Sequence, residues 1–178
     1  MLYPAPLRDL LLELAASSLF RAKWSEQIHT EWIENLLNDR PDLTREKLER
    51  TKTLMNDAVL DSIVDGHEEL IPCLILPDEN DRHVLAAAIH AGADAIVTFN
   101  LKDFPAQVCD QYNLEVLHPD EFIRHQFDFD NAAVILAAKA CRGRLKNPLK
   151  SAEAYLETLA QQRLPVTVSA LIPYISII

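Results

Sequence analysis

The segment from Pro77 to Pro105 constrains the fold more than any other part of the chain, because it encodes a helix that leads directly into a buried strand. Acidic residues crowd its start, where the free N–H groups and the dipole of a helix favour negative charge. Residues Val84–Ala91 are almost wholly apolar, and Gly92 follows as a typical helix stop. Ala95–Phe99 is then a short apolar run of the kind found in parallel sheets.

Polar residues lie at both ends of this helix–strand unit. Asp81 is at the start of the helix, and Asn100 and Asp103 come just after the strand. A helix that leads into a parallel strand brings Asp81 and Asp103 toward one edge of the sheet, where open α/β sheets bind ligands. Carboxylate oxygens are ligands of Mg²⁺ and Mn²⁺. The alternative interpretation is that Asp81 is only a helix cap and Asp103 only a loop acid.

The remaining residues predict helices that alternate with short strands, which is typical of an α/β sheet. Helices are predicted over residues 7–16, 25–38, 44–60, 105–112, 130–142 and 148–162, with another beginning at residue 118. Strands are predicted at 114–117 and, weakly, at 63–64 and 73–76, whereas residues 165–178 fit either a helix or a strand. Glu31 lies at the edge of the apolar stripe of the second helix, as either a solvated margin residue or a site carboxylate.

Length and charge narrow the class of protein. The chain of 178 residues is long enough for one domain with an appendage. Its net charge of −10 makes capture of nucleic acid by bulk charge unfavourable, although a local basic patch could still bind it. The three widely spaced cysteines indicate a reducing cytosol, and no apolar run reaches membrane-spanning length. We therefore expect a cytoplasmic protein that does not contact a membrane.

Three segments, in the same order along the chain, resemble the PIN-domain family. They are Leu2–Asp9, Asp81–Ala88 and the Ile-Val-Thr-Phe-Asn…Asp-Phe-Pro segment of residues 96–105. The resemblance covers residues 1–126 and is nearest to the bacterial subgroup that includes VapC-type toxin ribonucleases of toxin–antitoxin pairs. It implies a three-layer α/β/α sandwich on a parallel sheet for residues 1–126. Residues 127–178 resemble the helical C-terminal extension that some members carry.

The resemblance also implies an activity and its ligands. PIN domains hydrolyse RNA phosphodiesters with Mg²⁺ or Mn²⁺ ions held by three or four acids. The second, third and fourth acids of the family, which are metal ligands and catalytic residues, fall on Glu31, Asp81 and Asp103. This fits physical expectation, since clustered carboxylates repel unless a cation lies among them. A bound cation also lowers the pKa of a coordinated water and balances charge on the phosphate.

The surroundings of these acids suggest contacts with the substrate. The resemblance gives Asn100 a supporting role, and Arg82 and Lys102 flank the acids, where they could steady an RNA phosphate. The alternative for the two cations is a local ion pair of small value. A basic cluster at residues 142–150 is either a phosphate-binding patch or a solvated connector. The resemblance further implies two protein partners, a small antitoxin and a second copy of the chain as a homodimer.

The N-terminus departs from the family pattern. In the family a strand ending in the first acid precedes the segment that resembles Leu2–Asp9, and this chain begins at that segment. Three explanations stay open: a start further upstream, a degenerate inactive member, or a replacement strand supplied by Tyr174–Ile178 or by a partner chain. We expect weak or absent nuclease activity for the 178-residue form. Two functions therefore remain, a metal-dependent toxin ribonuclease and a catalytically inactive PIN-like module that binds RNA or a partner.

Overall fold

The computed structural model describes residues 4–178, so the start of the Leu2–Asp9 segment lies outside the described part. The elements run in the order α1 Ala5–Ala16, α2 Glu26–Asp39, α3 Arg45–Ala58, α4 Arg82–His90, β1 Ala95–Val97, α5 Ala106–Cys109, β2 Glu115–Leu117, α6 Pro119–Phe129, α7 Asn131–Arg144, α8 Ala152–Gln161 and α9 Pro165–Leu171. Short 3₁₀ turns lie at Glu68–Cys73, Glu79–Asp81, Leu101–Asp103, Asp110–Tyr112 and Ile172–Tyr174. No helix within residues 4–178 is both long and apolar enough to cross a membrane.

The chain divides into two compact units. Residues 22–118 form the central unit, and residues 119–178 together with the N-terminal segment up to Arg21 form the terminal unit. The parallel sheet lies in the central unit, and the terminal unit contains helices only among its described residues. This arrangement confirms the predicted α/β class with a parallel sheet and a helical C-terminal segment. The predicted domain boundary at 126/127 falls within α6 and stays a prediction.

The helix–strand unit predicted from the sequence forms the centre of the central unit. Helix α4 ends at His90, and Gly92, two residues later, has φ +58°, a left-handed conformation that favours glycine. Strand β1 follows and pairs in parallel with β2, with Ile96 opposite Val116. Leu85 on α4 is fully buried in the same apolar cluster as Ile96. The packing of α4 against β1 fixes the start of the helix, where Asp81 lies, and the end of the strand, after which Asn100 and Asp103 lie.

Helices α2 and α3 pack on each other in the central unit, and each begins with a side-chain cap from Ser25 or Thr44. A polar network lies between them: the Asn56 Oδ1 accepts from Trp24 Nε1 at 2.8 Å and lies 2.9 Å from His29 Nε2. Trp32 Nε1 donates to the other ring nitrogen of His29 at 2.9 Å. These bonds hold α2, the helix that carries Glu31, in a fixed orientation against α3.

Two weak strand predictions are wrong in an instructive way. Ile63 forms only an isolated parallel bridge with Trp24, and residues 68–73 form a 3₁₀ turn with Pro72 inside it. Leu74 and Leu76 are buried while Ile75 is 79% exposed, which is the alternation of an extended strand. Within the described chain this segment has no ladder partner, so residues 74–76 are extended, as predicted, but do not pair as a strand of a sheet.

The terminal unit corrects the hypothesis for the end of the chain. Residues 165–171 form α9, and Ile172–Tyr174 continue as a 3₁₀ turn, so Tyr174–Ile178 is not a replacement strand. The start of α9 is fixed by Pro165 in its first turn and by the buried carboxylate of Asp120. Asp120 accepts hydrogen bonds from the backbone N–H groups of Val166 at 2.8 Å and Thr167 at 2.7 Å. This long-range cap selects the helix.

The basic cluster of residues 142–150 is largely engaged in contacts within the terminal unit. Arg142 donates to the backbone oxygen of Lys150 at 3.2 Å, and Lys150 donates to Thr158 Oγ1 at 2.6 Å. Arg144 forms an ion pair of 2.6 Å with Glu13. These contacts favour the structural interpretation of the cluster over a phosphate-binding patch.

Candidate functional site

Asp81 occupies the N-cap position of α4, yet its side chain makes no capping hydrogen bond. Asp78 caps the preceding 3₁₀ turn instead, where its carboxylate accepts from the backbone N–H of Asn80 at 2.9 Å. The interpretation of Asp81 as only a helix cap is therefore wrong. Its half-buried carboxylate stays available for another contact.

The pKa of Asp81 responds to the charges of the other predicted acids. Burial raises the pKa of Asp81, and the negative charges of Asp78, Asp103 and Glu31 raise it further. These carboxylates come from α2, from the turn before α4 and from the turn after β1. Interactions between charges fade beyond about 10 Å in salt solution, so the charges of Glu31 and Asp103 lie near enough to act on Asp81. Two acids that are distant in the sequence therefore contribute to the negative potential at the Asp81 carboxylate.

Asp103 is held by the residue that the resemblance gave a supporting role. The side-chain amide of Asn100 donates to the Asp103 carboxylate, and the Asp103 backbone N–H donates to the Asn100 carbonyl at 3.2 Å. The backbone N–H of Asn100 donates in turn to Thr98 Oγ1 at 3.0 Å. The end of β1 therefore fixes Asp103 through a short chain of hydrogen bonds. A role of Asn100 in binding substrate stays a prediction.

Glu31 lies half-buried in the middle of α2. Burial raises the pKa of its carboxyl group, and a hydrogen bond from Gln27 one turn earlier partly opposes this. The carboxylate oxygen Oε1 lies 2.7 Å from Nε2 of His83, near the start of α4. That oxygen lies off the direction of a ring N–H, and neither ring nitrogen of His83 makes an aligned hydrogen bond. The contact is a close approach of two polar atoms that joins α2 to α4.

The two predicted substrate-binding cations differ in their surroundings. Arg82 Nη2 lies 2.7 Å from Glu79 Oε1, three residues earlier, which is the local ion pair offered as the alternative. Lys102 is exposed beside Asp103 in the turn after β1. Contacts of the two cations with an RNA phosphate stay predictions, and the exposed Lys102 is the freer of the two.

The donor chemistry of the cluster fits a hard divalent cation, since Mg²⁺ and Mn²⁺ take carboxylate oxygens. Within residues 4–178, however, no three His, Cys, Asp or Glu side chains stand close enough together to hold a metal ion. The acids therefore fit a divalent cation by the chemistry of their oxygen atoms and by their general position, and they do not form a ready-made ligand set in the described chain. Rotations of these half-buried carboxylate side chains are needed to make a ligand set, and rotamer changes are common on binding.

Sequence spacing does not identify His83 as part of the candidate site. Its seven-residue separation from His90 does not match the four-residue spacing of a metal-binding pair on a helix. The structure places it 1% exposed beside Glu31. Its position two residues after Asp81, at the start of a helix with a buried face, was the available signal.

Comparisons with known proteins agree with this architecture. The profile of the PIN domain matches residues 1–102, and the profile of the VapC50 C-terminal domain matches residues 119–172. The chain is 37% identical over 82 residues to a Mycobacterium tuberculosis protein named "Putative ribonuclease VapC50"; this covers 46% of the chain and about half, 48%, of that relative. No solved structure matches the chain. The chain belongs to the PIN-domain family.

Proposed function

We propose that this protein hydrolyses RNA phosphodiesters with a divalent metal ion, Mg²⁺ or Mn²⁺, held by Glu31, Asp81 and Asp103. The observation that carries the proposal is the state of Asp81. Its side chain makes no capping hydrogen bond, and burial together with the like charges of neighbouring carboxylates raises the pKa of its carboxyl group. An arrangement that disfavours a carboxylate in the protein alone favours it when a cation binds, because the cation removes the repulsion.

The side chains of the cluster have distinct tasks in this proposal. Asn100 holds the Asp103 carboxylate in place after β1. Lys102 offers an exposed positive charge next to the acids, where a phosphate group of RNA would otherwise meet a strongly negative surface. When bound, the metal ion lowers the pKa of a water nucleophile and balances charge on the phosphate. No protein nucleophile is required.

Membership of the PIN-domain family supports a biological role for the proposed activity. The relative in Mycobacterium tuberculosis is named "Putative ribonuclease VapC50", and the resemblance of the sequence is to toxins of toxin–antitoxin pairs. We therefore infer that the chain is a toxin-type ribonuclease whose partners are RNA, a small antitoxin protein and a second copy of itself. A cytoplasmic location fits an RNA substrate and the free thiols of all three cysteines.

A second function has one observation in its favour. Because no three potential ligands stand close enough to hold a metal ion in the described chain, an inactive PIN-like module that binds RNA or a protein partner fits the side chains as they lie. The two functions differ in a measurable way. The ribonuclease must bind Mn²⁺ through Asp81, and the inactive module need not.

The test compares Asp81→Asn with Asp78→Asn. Both substitutions remove one charge from the same negative region, and an asparagine at 78 keeps an oxygen for the cap of the turn. We expect the wild type to bind Mn²⁺ in calorimetry and to cleave single-stranded RNA slowly. Asp81→Asn should lower the cleavage rate by about 10²–10³-fold, whereas Asp78→Asn should leave it nearly unchanged. Metal binding that survives Asp81→Asn would contradict the assigned ligand set, and a wild type that binds no Mn²⁺ would favour the inactive module.

A further inference from the structure

His83 combines deep burial with unused polar atoms. It lies in the first turn of α4, its side chain is 1% exposed, and neither ring nitrogen has an aligned hydrogen-bond partner among the described residues. A buried polar group without a partner costs free energy, so native structures nearly always provide one. The polar atom that lies within reach is Oε1 of Glu31, 2.7 Å from Nε2. The imidazole is therefore placed to interact with a carboxylate of the candidate site.

We propose that His83 is a positioning residue that orients the Glu31 carboxylate toward the metal ion. This inference rests on the proposed metal site. Side chains that hold a metal-ligating carboxylate from behind fix its orientation and contribute to metal affinity without touching the metal. His83 is suited to this task because it connects α2, which carries Glu31, with the helix that begins after Asp81.

The contact between His83 and Glu31 acts through the direction of an N–H group more than through charge. An imidazole carries at least one N–H to donate, and rotation of the ring or of the carboxylate aligns Nε2 with Oε1, which already lies 2.7 Å away. A hydrogen bond to Oε1 leaves the other carboxylate oxygen of Glu31 for a cation.

The experiment measures Mn²⁺ affinity by calorimetry in His83→Leu and His83→Gln. The matched control is His90→Leu, at the exposed end of the same helix. We expect His83→Leu to weaken Mn²⁺ binding by about 10–100-fold, as loss of a supporting residue does. His83→Gln, which keeps an N–H donor, should restore part of this loss, and His90→Leu should bind like the wild type. Unchanged affinity in a folded His83→Leu variant would overturn the inference.

Two further measurements separate the other outcomes. If His83→Leu does not fold, His83→Gln is compared in the wild-type and Glu31→Gln backgrounds. The loss should vanish when Glu31 is already changed, and equal losses in both would overturn the inference. Electron spin-echo spectra of the Mn²⁺-bound wild type should show no nitrogen coupling that His83→Leu removes, because such a coupling would make His83 a ligand. A wild type that binds no Mn²⁺ refutes the proposed function and the inference together.

Discussion

Asp81 in the central unit and Asp120 in the terminal unit are both acids beside the start of a helix, and they behave in opposite ways. Asp120 is 5% exposed and accepts from two backbone N–H groups of α9. Asp81 is at the start of α4 and makes no capping bond, while burial and the charges of neighbouring carboxylates raise its pKa. One carboxylate is satisfied by the fold, and the other is left in repulsion. The difference separates a structural acid from a candidate ligand without any appeal to sequence similarity.

The largest expected effect tests the structural side of this comparison. Asp120→Ala removes two charge-assisted hydrogen bonds and leaves the N–H groups of Val166 and Thr167 without this partner, the latter in a buried position. We expect the free energy of unfolding to fall by about 3 kcal/mol, measured by urea denaturation, with Mn²⁺ affinity unchanged. Asp120→Asn should cost less, because the amide oxygen still accepts one bond.

Asp128→Ala is the matched control for this substitution. Asp128 lies on the same helix, α6, and forms an exposed ion pair of 2.7 Å with Arg124. Its loss should cost at most about 1 kcal/mol. If the two variants unfold at the same urea concentration, the buried cap does not hold the start of α9.

The next largest effect is expected in the alkylation rates of buried cysteines, which report the opening of each unit separately. Cys109 is buried in the central unit and Cys141 in the terminal unit, where burial raises the pKa of its thiol to about 12. Both should react slowly with an alkylating reagent, and the exposed Cys73 should react at once. If the metal binds only the central unit, Mn²⁺ at ten times its dissociation constant should slow labelling of Cys109 by about ten-fold and leave Cys141 unaffected.

Mass spectrometry of the labelled peptides gives the rate for each thiol in one sample. Equal slowing of Cys109 and Cys141 would mean that the two units open together. The stability of the central unit could then not be compared separately with that of the terminal unit. Slowing of Cys141 alone would place the cation in the terminal unit, against the assigned site.

A feature of this fold could be predicted from the sequence when the residues that determine it lie close together along the chain. The helix–strand unit around Gly92 was predictable because its apolar runs and its stop lie within twenty residues of one another. The identity of the end of the chain was not, because Asp120, 46 residues before Val166, decides that residues 165–171 form a helix. The extended segment at residues 74–76 was half predictable, since its alternation is local and its lack of a ladder partner is not.

The site shows the same division. Resemblance located Glu31, Asp81 and Asp103, and the structure brings their charges together, although their roles as ligands stay predictions. The partner of His83 could not be predicted, because Glu31 lies on a helix separated from α4 by α3 and a long connection. The periodicity of apolar residues does not predict contacts between elements that are distant in the sequence. Those contacts determine which polar groups find a hydrogen-bond partner in the folded chain.

The smallest expected effect tests the functional side of the comparison. Because a raised pKa means that the folded state disfavours the charged form of Asp81, this carboxylate lowers stability at pH 7 when no cation is present. Asp81→Asn should therefore raise the free energy of unfolding in urea with chelator present, by less than about 1 kcal/mol because solvent screens this half-buried carboxylate. Added Mn²⁺ should stabilise the wild type and not the variant. If Asp81→Asn destabilises the chain as Asp120→Asn does, Asp81 is a structural acid, and the contrast on which the site assignment rests disappears.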